Sequence, residues 1–216
     1  MKYEKVSNYI IEWLHNQVKQ TKQKGFVVGV SGGVDSAVTS TLCAMAGYPT
    51  TVLNLPIHQE SSQFNLSNQH IDWMKHRFNN VISYTIDLSK TFDAFVETLP
   101  DSIIDNELVL ANSASRLRMV SLYSIANANN YLVAGTGNKI EDYGIGFFTK
   151  YGDGGVDICP IADLLKSEVY KLAKYIEIIE PIITVAPTDG LWGDNRTDES
   201  QIGASYDELE WAMDYC

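Results

Sequence analysis

Val6, Ile10, Trp13, Leu14 and Val18 recur at intervals of three and four, which predicts an amphipathic helix over the first twenty residues. Gly25 closes that stretch. Phe26-Val27-Val28-Gly29-Val30 is a short apolar run bounded by glycines, the pattern of a buried strand. The turn Ser31-Gly32-Gly33 leads into a helix over 35–46, closed by Gly47-Tyr48-Pro49. A second strand over 51–55 ends at Pro56, and Ile71, Met74, Lys75 and Phe78 place a helix over 68–78. A third strand follows at 81–86 and a short helix at 91–99, then an acidic, polar surface loop at 100–107. Leu110, Leu117, Val120, Leu122, Ile125 and Ala126 suit a long helix over 108–129. Tyr131-Leu132-Val133-Ala134 reads as a fourth strand, and Val169, Leu172, Ala173 and Ile176 as a helix over 168–178.

Strands alternating with helices predict an α/β fold, a doubly wound parallel sheet with helices on both faces. Sites in such sheets sit beyond the carboxyl ends of the strands. That rule singles out Ser31 to Ser36, the segment after Leu55, and Thr136 onward. The 216 residues suit one domain, expected to span 1–216.

The formal net charge is −11, from 27 acidic and 16 basic residues. The cations form no basic stripe, which argues against nucleic acid as a partner, because phosphate neutralisation supplies most of such affinity. No run reaches the roughly 20 apolar residues that a membrane crossing needs. Glu4, Lys5 and Glu12 are foreign to a secretory leader. Cys43, Cys159 and Cys216 have neither metal-ligand nor disulfide spacing, so a reducing, cytoplasmic setting is expected.

Candidate chemistry begins at Gly29-Val30-Ser31-Gly32-Gly33-Val34-Asp35-Ser36. Glycines let the backbone turn several N–H groups onto one phosphate, and the following helix adds the positive end of its dipole. Ser31 and Ser36 can donate hydroxyls to the same oxygens, while Asp35 suits a Mg²⁺ ligand. A helix-capping turn would account for Gly-Gly alone, but not for the whole string between a strand and a helix. The string resembles the S-G-G-x-D-S signature of the N-type ATP pyrophosphatases, and it is not a Walker A loop.

Further along, Asn112 to Met119 carries Arg116 and Arg118, two apart on a helix and so pointing in different directions. Arg116 is the better candidate to grip an anion bidentately, with Arg118 evenly weighed against a solvated helix face. Gly135-Thr136-Gly137-Asn138-Lys139-Ile140-Glu141-Asp142 lies past a strand end, where Thr136 can bond a nucleotide and Glu141 a metal. The glycine-rich run over 143–163 mixes aromatics, Lys150, Asp153 and Asp157, a composition suited to ligand recognition.

Taken together, these strings resemble the ammonia-dependent NAD synthetases. The resemblance rests on Asn112 to Met119, Gly135-Thr136 with Glu141, Gly146 to Asp157, Lys166, Pro187-Thr188-Asp189-Gly190-Leu191, and Asp198-Glu199 with Gly203 and Ser205-Tyr206. It implies an adenine nucleotide alpha-hydrolase-like fold and the conversion of deamido-NAD, ATP and ammonia into NAD, AMP and pyrophosphate. By resemblance, Gly29 to Ser36, Thr136, Lys166 and Thr188 bind ATP. Asp35 and Glu141 hold Mg²⁺, and Arg116, Lys150 and Asp157 bind the deamidated dinucleotide. Lys166 stabilises the leaving pyrophosphate, and Asp153 is the candidate base toward ammonium. A homodimer is also implied.

The chain departs from the family pattern in places. Ala114 stands where Lys or Gln is usual, one extra residue separates Glu141 from Gly146, and Asp189-Gly190 replaces Ala-x. The family's basic tail beyond the Tyr206 region is not seen before Cys216. Pro49-Thr50-Thr51 and Leu55-Pro56 resemble a branch that amidates nicotinate mononucleotide, which stands as the alternative substrate. Another adenylating amidotransferase of the superfamily fits the phosphate loop but not Lys150 to Asp157.

Overall fold

The computed structural model describes residues 2–188, 196–213 and 215. Helix α1 (Tyr3–Thr21) leads into β1 (Phe26–Gly29), α2 (Val34–Met45), β2 (Thr50–Asn54), α3 (Ser61–Arg77) and β3 (Val81–Thr85). The chain continues through α4 (Ser89–Val96), α5 (Asp101–Ile104), α6 (Glu107–Asn129) and β4 (Leu132–Val133). A π-helical turn (Ile140–Ile145) precedes α7 (Lys166–Tyr175), α8 (Glu180–Thr184), α9 (Asp198–Ile202) and α10 (Tyr206–Met213).

The four strands are parallel in the order β3-β2-β1-β4, with Phe26 opposite both Thr50 and Leu132. Alternate side chains on a strand face opposite sides, so each face needs its own cover. Phe26, Val28 and Leu132 pack with Leu14 and Val18 of α1, Leu42 of α2, and Val169 and Leu172 of α7. Val27, Leu53 and Val133 pack with Ala114 and Ala126 of α6, and with Leu88. Val52 and Val81 meet Ile71 and Met74 of α3. Burial on both faces explains why β1 and β4 read as continuous apolar runs rather than alternating ones, whereas the edge strand β3 buries only Val81. Winding proceeds outward from β1 through β2 to β3, then returns past α6 to β4 on the other side of β1. The β1/β4 gap is therefore the topological switch point, where the crevice of such a sheet opens.

The expected strands and main helices are present, with instructive differences at the edges. Helix α3 begins at Ser61, seven residues before the expected start, because Ser61 to Ser67 are mostly polar and carry no apolar repeat. The expected loop at 100–107 contains α5, and the irregular run after Gly137 starts with the π-helical turn. Beyond 178 the chain still forms α8, α9 and α10.

His70 lies wholly buried between α3 and α2, its Nε2 3.0 Å from Ser40 Oγ. Ser40 Oγ also lies 3.1 Å from the Ala37 carbonyl, a second acceptor for its proton, and Nδ1 has no partner among the described residues. Burial lowers its pKa from 6.5 to about 3. A depressed histidine pKa means that the unfolded chain takes up the proton first, so its contribution to stability disappears as pH falls from 6.5 toward 3. Between pH 7 and pH 5 this one group should reduce folding stability by about 2 kcal/mol. Urea titrations of wild type and His70→Leu at both pH values check this. The variant should show the shallower acid loss.

Candidate active site

The phosphate loop joins β1 to α2 at the switch point. Ser36 Oγ donates to the Gly33 carbonyl (3.0 Å) and accepts from the Ser31 amide (3.2 Å), closing a compact loop. The Gly33 amide donates to Ser31 Oγ at 3.2 Å. Gly32 has φ +90°, and a Cβ there would meet Gln63 O at 3.0 Å, Leu66 Cβ at 3.1 Å and Ser67 N at 3.2 Å. Helix α3 thus presses on the loop from outside, and only glycine satisfies both the conformation and the space. Gly29 to Ser36 all line one cavity of about 420 Å³, with Thr136, Gly137, Glu141, Asp142, Asp153, Lys166 and Thr188 across from them.

Lys166, first residue of α7, is the electrostatic centre. Its side chain is only 3% exposed, and Nζ donates to Asp35 Oδ2 (2.6 Å) and Glu141 Oε1 (2.8 Å). Burial alone would pull its pKa down, but the two carboxylates outweigh that and hold it well above the ordinary lysine value. Burial in turn raises the Asp35 carboxyl, only partly offset by Lys166. Asn138, fully buried, donates from Nδ2 to Asp35 Oδ1 (3.1 Å), while its Oδ1 accepts the Ile140 and Glu141 amides at 3.1 Å. One side chain thereby starts the π-helical turn and fixes Asp35 relative to it. Asp142, half-buried on the same turn, has its carboxyl raised to about 6 by burial and by the charges of Glu141, Asp153 and Asp35.

The sequence-expected residues divide into two groups. Gly29 to Ser36, Thr136, Glu141, Asp153, Lys166 and Thr188 line the one cavity. Asp153 Oδ1 accepts from Ser115 Oγ (2.7 Å) and the Thr149 amide (3.1 Å), which folds the 149–153 turn over the cavity. Arg116, Lys150 and Asp157 are not among the lining residues. Exposed Arg116 donates through Nε to the Lys150 carbonyl (3.1 Å), and Lys150 Nζ sits 5.0 Å from the Tyr151 ring centre. Asp157 Oδ2 accepts the Val133 amide (2.8 Å) and Oδ1 the Tyr123 hydroxyl (3.0 Å), pinning the glycine-rich segment to the outer edge of β4. Arg118, by contrast, reaches the cavity, its Nε donating to the Leu55 carbonyl at 2.9 Å.

Residues overlooked in the sequence also contribute: Gln63 and Leu66 on the unexpected start of α3, Tyr170 on α7, and Asn138. Asn138 carried a usable signal, an Asn directly before a helical turn, where its side chain caps free amides. Asp189, Gly190, Leu191 and Cys216 lie outside the described residues.

A glycine-rich turn at the switch point of a doubly wound sheet, faced by a buried lysine between two carboxylates, defines an adenine nucleotide alpha-hydrolase-like fold. The family model for NAD synthase matches residues 6–216. Among sequence relatives, an NH(3)-dependent NAD(+) synthetase of Mesoplasma florum is 38% identical over 97% of this chain and 84% of its own length. One from Methanosarcina acetivorans is 40% identical over 95% of this chain and 79% of its own. Among solved structures, the NMN synthetase of Francisella tularensis is 33% identical, with a TM-score of 0.91 over 99% of this chain and 87% of that one. The NH3-dependent NAD synthetase of Campylobacter jejuni is 31% identical, with a TM-score of 0.77 over 85% of this chain and 77% of that one. The chain belongs to the NAD synthase family, and it is a carbon–nitrogen ligase.

Proposed function

We propose that this chain is an ammonia-dependent NAD synthetase, adenylating the nicotinate carboxylate of deamido-NAD and then exchanging AMP for ammonia. The observation that carries the reading is the cavity in which Gly29 to Ser36 face Asp35, Glu141 and Lys166. The triphosphate lies on the loop, held by backbone amides, the Ser31 and Ser36 hydroxyls, and the amino end of α2. Thr136 and Thr188 hold the nucleotide from the opposite wall. The substrate carboxylate attacks the α-phosphorus, pyrophosphate leaves, and an acyl adenylate forms. Ammonia then adds to the acyl carbon, loses a proton, and expels AMP. Asp153, which lines the cavity, would accept that proton.

Lys166 has a double part. Before nucleotide arrives, its ammonium offsets part of the charge of Asp35 and Glu141. Once the phosphates enter, it faces the charge that builds on the leaving pyrophosphate.

The residues fit a Mg²⁺ ion. The described residues hold no cluster of three or more metal-ligating side chains, and Mg²⁺ typically takes one or two carboxylates with phosphates and water completing its shell. Asp35 and Glu141 would hold it, next to Asp142, whose carboxyl burial and the charges of Glu141, Asp153 and Asp35 raise to about 6. Bound there, it would polarise the phosphates and offset their charge.

Arg116, Lys150 and Asp157 would serve the dinucleotide from the rim rather than the cavity. A homodimer is supported by exposed Leu108, Val120, Phe148 and Tyr151 on α6 and the adjoining loop. A cytoplasmic location is supported by free Cys43 and Cys159, and no described helix is long and apolar enough to cross a membrane. Small molecules are the proposed partners, and the residues 1–216 the proposed domain.

Amidation of nicotinate mononucleotide is the second reading, favoured by the backbone likeness to the Francisella enzyme, 0.91 against 0.77 for the Campylobacter one. Ammonia-dependent release of AMP and pyrophosphate, measured with each nicotinate in turn, decides. Turnover is expected with the dinucleotide; a preference for the mononucleotide establishes the second reading, and release with neither refutes both.

A further inference from the structure

Tyr206 opens α10, 171 residues beyond Asp35, yet it closes the group around Lys166. Its hydroxyl donates to Glu141 Oε1 at 2.7 Å and stands 3.3 Å from Asp198 Oδ2. Its ring centre lies 4.8 Å from Lys166 Nζ, within cation–π range. The residue is 7% exposed, so water does not compete for its hydroxyl.

The helix that carries Tyr206 is itself anchored. Glu210 Oε1 accepts the Ser167 amide at 2.7 Å, tying α10 to the first turn of α7, immediately beside Lys166. The Tyr206 amide donates to Glu199 Oε1 of α9 at 2.8 Å. Met213 packs over the π-helical turn so closely that a Cβ on Gly144 would come within 2.9 Å of its sulfur. Helix α10 therefore spans both elements that supply the catalytic charges, α7 with Lys166 and the π-helical turn with Glu141.

We propose that Tyr206 is a positioning residue for adenylation. Its hydroxyl sets the orientation of Glu141, and its ring gives the Lys166 ammonium a second resting contact when the phosphates draw it away from the carboxylates. A buried core tyrosine would need neither contact. Here both polar ends of the cluster touch the same side chain. The proposal rests on the ligase reading for its kinetic part and on the geometry alone for its binding part.

Tyr206→Phe keeps the ring and removes the hydroxyl; Tyr206→Leu removes both. Partners that orient a metal-binding carboxylate typically contribute about 10–100-fold to metal affinity or activity. For Tyr206→Phe, the Mg²⁺ concentration giving half-maximal ATP binding in calorimetry should rise about tenfold. The ligand-free protein should still melt within about 4 °C of wild type. Tyr206→Leu should show the same Mg²⁺ effect and, in addition, a kcat lower than that of Tyr206→Phe, with Phe restoring what Leu loses. The proposal is overturned if Tyr206→Phe binds Mg²⁺ and ATP like wild type, or if the losses in both variants simply follow lowered melting temperatures. Should wild type itself release no pyrophosphate with either nicotinate, the ligase reading fails, and the binding comparison still decides the role of Tyr206.

Discussion

Lys166→Met should lower folding stability by about 3–5 kcal/mol at pH 7, the usual cost of removing one partner from a buried ionic group. The reason lies in what remains. Asp35 and Glu141 both bond the same Nζ, at 2.6 and 2.8 Å, and without it two mostly buried carboxylates face each other with only the neutral donors of Asn138 and Tyr206. One of them must then take up a proton to stay folded. Its folded pKa rises above its unfolded value, so relative to wild type the variant should regain stability as pH falls and lose it as pH rises through the raised value. Both proteins keep the acid loss through His70, so the variant should show the smaller net loss between pH 7 and pH 5. Chemical denaturation at pH 5 and pH 7 separates these slopes. Pyrophosphate release by whatever fraction stays folded should fall about 10²–10³-fold, the effect of losing one preorganised donor to developing charge. A variant as stable as wild type at pH 7 would contradict the central electrostatic argument.

Gly32→Ala should abolish measurable ATP binding at concentrations that saturate wild type. It should also destabilise the fold by about 1–3 kcal/mol, the cost of a residue held in a sparsely populated backbone region. Two effects add there: φ is +90°, and the new Cβ would press on the Gln63 carbonyl, Leu66 Cβ and the Ser67 amide at 3.0 to 3.2 Å. The loop can relieve the clash only by moving off α3 or by abandoning its left-handed turn. Either movement scatters the amides proposed to hold phosphate. Gly47→Ala is the natural control. Its φ is +81°, but nothing lies within 4 Å of the added carbon. It should show a similar strain with ATP binding intact, measured by calorimetry and thermal melts side by side. Equal loss of binding in both variants would mean that strain, not the contact with α3, governs the loop.

The sheet and its phosphate loop were legible because their signals are local. Four apolar runs, each ended by glycine or proline or by a polar turn, define four strands, and Ser31 to Ser36 carries its chemistry in consecutive residues. What failed to show was whatever depends on a partner far along the chain. Ser61 to Ser67 has too few apolar residues to announce a helix, yet α3 starts there and supplies Gln63 and Leu66 to the cavity. Spacing alone says that Arg116 and Arg118 face different ways, not which way is inward; packing of α6 on the sheet turns Arg118 to the cavity. Asp157, in a glycine-rich run that looked suited to ligand recognition, is engaged by the Val133 amide, because the outer edge of β4 leaves a donor that needs an acceptor. Tyr206 was visible as part of a motif, but its role follows only from where α10 returns.

The charges at the heart of this cavity arrive late in synthesis. Translation delivers Asp35 first, Glu141 much later, then Lys166, and Tyr206 near the end. Domains fold as units from the amino end as the chain emerges. A half-made polypeptide therefore carries Asp35 with no lysine to balance it, and has neither β4 nor α7 to pack on β1. The charge cluster, and the cavity around it, can be completed only once α7 and α10 have been made.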